Sequence, residues 1–201
     1  MLKNECQIKY KMIKLGVSGH RFLNEEQELS RGIDEALNTI AQTFGDQPFR
    51  VISGLAEGAD RLIVRRVLKR KGSRLTVLLP LPEDEYLKDF DGETSQKEFQ
   101  SLLGQADQII QLPIAPSREG AYARQGSCLL NQSDILLIIW DGLDSQGLGG
   151  TGDVAAAARA QNMPLAWVKA GNRKPGTTEH TSLSIDQGSV VYENFPETPG
   201  S

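Results

Sequence analysis

Short apolar runs alternate with amphipathic stretches along most of this chain. Ile13 to Val17, Phe49 to Ile52, Leu75 to Leu79 and Ile135 to Trp140 are each closed by turn-forming residues, which predicts strands. Ile135 to Trp140 is apolar throughout, as a central strand covered on both faces should be. Gln108 to Leu112, more polar, and Leu165 to Val168 read as two further strands. Helical spacing fills the intervals. From Asn24, a natural cap, Leu29, Ile33, Leu37 and Ile40 recur at three and four residues, predicting a helix through Phe44. Leu55 to Lys71 reads as the next helix, with Leu62, Ile63, Val67 and Leu68 inward and Gly72 as its stop. Its basic residues, Arg61, Arg65, Arg66, Lys69, Arg70 and Lys71, read as the solvated face. Gln96 to Leu103, Ala121 to Gln132 and Val154 to Gln161 read as three more helices. Pro80 and Pro82 deny the third strand a longer ladder, and the acidic stretch from Glu83 to Glu93 reads as a surface insertion.

Strands and helices that alternate in this way, with short connections, predict a three-layer α/β fold: a doubly wound, mostly parallel sheet joined by right-handed crossovers. At 201 residues the chain suits one core, placed in a single domain over residues 1–170. Residues 171–201 are polar and Gly/Ser/Thr-rich and read as a weakly structured tail, with Val190 to Tyr192 as a candidate edge strand. The apolar and charged fractions, 39% and 24%, are ordinary for a globular protein. A net charge of −4 argues against coating nucleic acid, which needs a clustered basic surface. Cys6 and Cys128 form no C-x-x-C pair, and no metal cluster or cofactor motif stands out. The polar, lysine-bearing start and the lack of a long apolar run point to a cytoplasmic chain with no membrane partner.

Three glycine-bearing turns follow predicted strands and so belong on one edge of the sheet, where such folds bind ligands. In the first, Gly16 and Gly19 permit close backbone approach, Ser18 offers a hydroxyl, and Arg21 can pair with a phosphate. His20 is either structural or a hydrogen-bond donor to ligand. In the second, Ser53, Gly54 and Gly58 precede Asp60, which binds a hydroxyl or orients a partner. Glu57 there sits at a helix start, where the macrodipole favours it. In the third, Gly149, Gly150, Thr151 and Gly152 present backbone amides at a helix start, the usual receptor for phosphate. Asp153 either caps that helix or holds a ribose hydroxyl. Asp141, just past the central strand, suits a polar ligand, and Tyr122 and Arg124 can add a ring and a cation. Gly147, Gly149 and Gly152 satisfy G-x-G-x-x-G, but Asp141 to Gln146 separate them from the strand. Lys169 also stands where a ribose-binding acid belongs. That argues against the standard dinucleotide site, and no P-loop occurs.

Taken in order, these motifs resemble one superfamily. Ser53-Gly54-Leu55-Ala56-Glu57-Gly58-Ala59-Asp60 is similar to the S-G-x-A-x-G-I-D motif of Smf/DprA DNA-processing proteins. Gly149-Gly150-Thr151-Gly152-Asp153 resembles the P-G-G-x-G-T-x-x-E motif of LOG phosphoribohydrolases, and Gly16 to Arg21 resembles the opening of YpsA-like proteins. Together they resemble the SLOG superfamily over about residues 13 to 170. The resemblance implies a Rossmann-like fold, a nucleotide or nucleotide-derived ligand over the glycine turns, and pairing as a homodimer. Arg124 is similar to an arginine that LOG enzymes place in the helix before their glycine motif. LOG enzymes carry a catalytic glutamate just after that motif; here Asp153 follows, at a different spacing. The resemblance thus implies a sensor or binding module first. The second implication is an N-glycosidase acting on nucleoside 5′-monophosphates, with Asp153 or Glu57 supporting the transition state, and the third is DprA-like binding of single-stranded DNA.

Overall fold

The computed structural model describes residues 12–23, 26–144, 149–173, 177, 179–182 and 186–196. Strands β1 (Ile13–Gly19), β2 (Phe49–Ser53), β3 (Arg74–Leu79), β4 (Gln108–Gln111), β5 (Ile135–Trp140) and β6 (Leu165–Lys169) are linked by crossovers. The helices are α1 (Glu26–Phe44), α2 (Ala59–Leu68), α3 (Glu83–Tyr86), α4 (Gly92–Leu103), α5 (Arg118–Gln132) and α6 (Thr151–Ala160). A small hairpin of β7 (Asn172–Arg173) and β8 (His180–Ser182) follows, then β9 (Val190–Glu193). The main sheet runs β4-β3-β2-β1-β5-β6-β9, with only β9 antiparallel among its pairs.

Side-chain alternation on the strands divides the core into two halves. Leu137 and Ile139 of β5 join a cluster with Leu29, Ile33 and Leu37 of α1 and Ile63 and Val67 of α2. Leu136, Ile138 and Trp140 join the opposite one, with Leu129 of α5 and Ala155 and Ala158 of α6. A strand covered on both faces must be apolar at every position, and all six residues of β5 are buried. Each such leucine or isoleucine contributes about 1.5–3 kcal/mol by leaving water. The sheet therefore lies between two helical layers, a doubly wound α/β architecture.

The predicted elements recur with shifted ends. Asn24, the predicted cap, lies outside the described residues. The helix predicted from Leu55 begins only at Ala59, because Leu55 (φ 56°) and Gly58 (φ 73°) have left-handed backbones that a helix cannot include. The predicted outward face of α2 is also corrected at Arg61, which is 1% exposed. Its Nε donates to the Leu55 carbonyl at 3.0 Å, and its Nη1 to Ser95 and Glu98 at 2.9–3.1 Å. The guanidinium also lies over the Phe90 ring at 4.5 Å. Arg66 and Arg70 do face outward, reaching Asp34 and Asn38 on α1. The stretch from Glu83 to Glu93 is more than a surface insertion. Tyr86 and Phe90 are buried against Phe99 of α4, with ring centroids 4.8–5.6 Å apart. The chain beyond Gly171 is likewise structured where described: β7 and β8 pair, and β9 closes the sheet beside β6.

Strands β1 to β4 step outward in one direction, and β5 returns to the other side of β1. The switch point thus falls between β1 and β5, where Gly19 is in register with Ile139. Connections leave the two strands in opposite directions there, and a crevice opens beyond their carboxyl ends.

Candidate functional site

A cleft of about 660 Å³ occupies that crevice. Its floor is the end of β1 and β5, held together by the His20 amide, which donates to the Ile139 carbonyl at 3.0 Å. Close approach of backbones makes the glycines here obligatory. A Cβ on Gly19 would lie 2.4 Å from the Ala59 side chain and 2.5 Å from the Ile139 carbonyl oxygen. One on Gly58 would lie 2.4–2.5 Å from the carbonyl oxygens of Arg21 and His20. The first and second turns are therefore interlocked, and the Ala59 amide donates to the His20 carbonyl at 3.0 Å.

His20 and Asp141 meet across the switch point. The Asp141 backbone N–H donates to His20 Nε2 at 3.1 Å, and the Asp141 Oδ1 lies at the same distance from that nitrogen. Burial holds the His20 pKa below its ordinary value, against the opposing pull of the Asp141 carboxylate. Burial thus favours the neutral form of the ring. Asp141 Oδ1 also accepts the Leu143 amide at 3.0 Å.

Arg21 does not stand free in the cleft. Its Nη2 donates to the Glu57 carboxylate and, at 2.6 Å, to the Asp89 carbonyl. Glu57 also accepts the Ser95 hydroxyl and the Asp91 amide, the latter at 2.8 Å. Burial alone would raise the Glu57 pKa, but the hydrogen bonds from Ser95, Arg21 and Asp91 together bring it below the ordinary value. Glu57 is thus a saturated anchor between the second turn and the start of α4. Asp89 contributes its side chain to the cleft as well: Arg118 donates to its two oxygens at 2.7 and 2.9 Å, and the Tyr122 hydroxyl donates to Oδ2. Burial, then the hydrogen bond to Asp89, pushes the Tyr122 phenol up to about 12.

Asp60 lies at the bottom of the cleft. It accepts the Ser53 hydroxyl at 2.7 Å and the amides of Gly54 and Ala56, while Ser53 in turn accepts the Leu55 amide at 2.8 Å. Burial pushes its carboxyl up to about 6 from 3.8, despite those hydrogen bonds and nearby Arg61. A carboxyl with a raised folded-state pKa holds its proton more tightly when folded. That contribution is complete below about pH 4 and lost as pH rises through about 6. Wild type should therefore gain stability relative to Asp60→Asn, by up to roughly 3 kcal/mol, as pH falls from near 7 to near 4. Urea unfolding of both proteins across that range checks this, and a difference that stays flat rejects it.

The third turn brings α6 to the cleft by its N-terminus. Gly149 (φ 83°) passes so close to α5 that a Cβ would lie 2.7 Å from the Ala123 nitrogen. Its amide donates to Asp153 Oδ2 at 2.8 Å, so Asp153 closes the first turn of α6 from its exposed side. Gly150 is the N-cap and supplies no side-chain acceptor. Thr151 and Gly152 line the cleft at the helix start, where the helix dipole places partial positive charge. Gly147 of the G-x-G-x-x-G pattern lies outside the described residues.

The cleft wall thus gathers Ser18, Gly19, His20 and Arg21 with Gly54, Asp60, Tyr122, Asp141 and Gly149 to Gly152. Ser53, Glu57 and Gly58 stand behind that wall as its supports. Gly16 lies deeper, where a Cβ would meet the Ser133 hydroxyl at 2.4 Å. Arg124 is exposed and donates to the carbonyls of Pro113 and Ile114 at 2.6 and 3.2 Å, away from the cleft. Sequence reasoning missed Tyr86 and Asp89, Gln125, Trp140, Asn172 and Arg173. For α5 a signal existed: Tyr122, Gln125, Gly126 and Leu129 share one helical stripe, and all line the cleft. Gln125 Nε2 donates to the Leu78 carbonyl at 2.6 Å and fills the space that Gly54 leaves open. Trp140 ends β5 beside Trp167 of β6, ring centroids 5.4 Å apart, and its carbonyl accepts the Trp167 indole N–H at 2.8 Å.

Fold and cleft together define a doubly wound α/β protein of Rossmann-like architecture, with a cleft at the switch point. No family model and no curated protein matches the chain. Among solved structures it is similar to the X-ray structure of TM1055, a Northeast Structural Genomics Consortium target. The identity is 18% and the TM-score 0.46, over 77% of this chain and 72% of that one. Among the described residues no helix is long and apolar enough to cross a membrane, and no group of three or more His, Cys, Asp or Glu side chains is arranged to hold a metal ion.

Proposed function

We propose that this chain is a SLOG-type binding module for a nucleotide or nucleotide-derived phosphosugar. The observation that carries the reading is the start of α6, which has no side-chain cap at Gly150 and lines the cleft at the switch point. Fixed N–H groups and the helix dipole favour a phosphate there. Asp60 and Asp141, on the cleft wall, suit the hydroxyl groups of a sugar. Binding is favoured over glycoside cleavage because both carboxylates with motif-based claims to catalysis are engaged: Asp153 with the Gly149 amide, and Glu57 with Arg21 and Ser95. The carboxylates of Asp89, Asp141 and Asp144 around the cleft disfavour a long polyanion such as single-stranded DNA.

Thr151→Pro offers a direct test. Proline suits the first position of a helix, and the extended backbone of Gly150 (φ −75°, ψ 171°) tolerates it, so α6 persists without one amide donor. Calorimetry with ribonucleoside 5′-monophosphates and ribose 5-phosphate is expected to show saturable binding to wild type. Thr151→Pro should weaken it about ten-fold or more, the worth of one charge-assisted hydrogen bond, with Thr151→Ala controlling for the hydroxyl. No saturable binding to wild type, or equal binding by the proline variant, overturns the reading.

A further inference from the structure

Two guanidinium groups line the cleft, and they differ in standing. Arg21 is matched by the Glu57 carboxylate. Among the described residues Arg173 meets no carboxylate: its Nη1 donates to a neutral acceptor, the Thr177 carbonyl, at 3.0 Å. Its Nε is shut off from solvent yet has no acceptor among the described residues. A buried N–H of a charged group without a partner is rare and calls for an explanation. The backbone fixes where it sits. The Ala170 amide donates to the Trp140 carbonyl at 3.0 Å, and the Gly171 amide to Gln187 Oε1 at 2.8 Å. These bonds turn the chain at the carboxyl end of β6 toward the end of β5. Strand β7 thereby emerges on the sheet edge that carries the start of α6, and Asn172 and Arg173 both line the cleft.

We propose that Arg173 is the cation that holds the anionic group of the ligand. The inference rests on the nucleotide or phosphosugar reading above and deepens it. With Nη1 engaged and Nε closed off, Nη2 is the donor of this guanidinium left for an oxyanion in the cleft. Arg173 supplies that donor and its positive charge from β7, and α6 supplies its N-terminus at Thr151 and Gly152. The group they fit is a terminal phosphate monoester, whose charge neither Arg21 nor neutral His20 is placed to balance. The β7–β8 hairpin is then a wall of the binding site.

The test is calorimetry of wild type, Arg173→Ala and Arg173→Gln with the ribonucleoside 5′-monophosphates and ribose 5-phosphate, alongside the matching nucleosides and ribose. Both variants are expected to weaken the phosphorylated compounds about ten-fold or more. Any binding of the unphosphorylated ones should be unchanged. Glutamine keeps part of the packing volume, so it decides the matter if alanine disturbs the hairpin, and thermal melts report whether each variant is folded. If wild type binds and both variants match it, or lose nucleoside affinity equally, Arg173 does not hold the phosphate and the nucleotide reading survives alone. If wild type binds none of the phosphorylated compounds, both ideas fall together.

Discussion

Gly58→Ala is expected to destabilise the protein by roughly 3 kcal/mol or more, the joint cost of a strained backbone and an overpacked contact. Gly58 holds φ 73° and ψ −116° at the entry to α2, a conformation closed to residues with a Cβ. The added atom would also fall 2.4–2.7 Å from the backbone of His20 and Arg21. Backbone cannot swing aside as a flexible side chain can, so either α2 or the first turn must move. Because that turn forms the cleft floor, ligand affinity should fall along with stability. Gly104→Ala is the control: that residue has an ordinary helical backbone, and its Cβ would meet nothing closer than 3.4 Å. Urea midpoints that coincide for the two variants would show that the two turns do not interlock as described.

Arg61→Ala should cost about 3–5 kcal/mol, the range for removing one member of a buried charged network and leaving a cavity. The loss strips the Leu55 carbonyl and the Ser95 carbonyl of their donor and empties the space over Phe90. Ser95 is also a donor to Glu57, and Glu57 receives Arg21, so the damage leads from α2 through α4 to the cleft rim. Arg65→Ala, one turn along the same helix, removes a half-exposed pair with Glu98 and should stay within about 0.5 kcal/mol of wild type. Denaturant unfolding separates the two cases. Equal, small effects would return Arg61 to the solvated face that its sequence neighbours suggest.

That contrast marks where the sequence could be read and where it could not. Strand β5 is legible residue for residue, since burial on both faces leaves six consecutive apolar positions, too short for a helix and bounded by turn residues. The alternation of elements likewise carries the doubly wound topology, and with it the edge on which Ser18, Gly54 and Thr151 meet. Arg61 was illegible because its acceptors on α4 lie 34 to 37 positions away, and only tertiary packing brings them near. The same holds for Arg21, whose partner Glu57 is 36 positions distant, so a free phosphate-binding cation and a structural ion pair look alike in one dimension. In the stretch around Tyr86 and Phe90, acidic neighbours conceal two aromatic residues at helical spacing that anchor the cleft wall. The hairpin carrying Arg173 has too short a ladder for any periodicity to announce it.

The pairing of Trp140 with Trp167 has an optical consequence. These are the only two tryptophans in the chain, and they sit ring to ring where β5 and β6 end. One of them forms part of the cavity lining. All indole emission from this protein therefore originates at a single spot beside the cleft, a gauge of its surroundings that needs no attached dye.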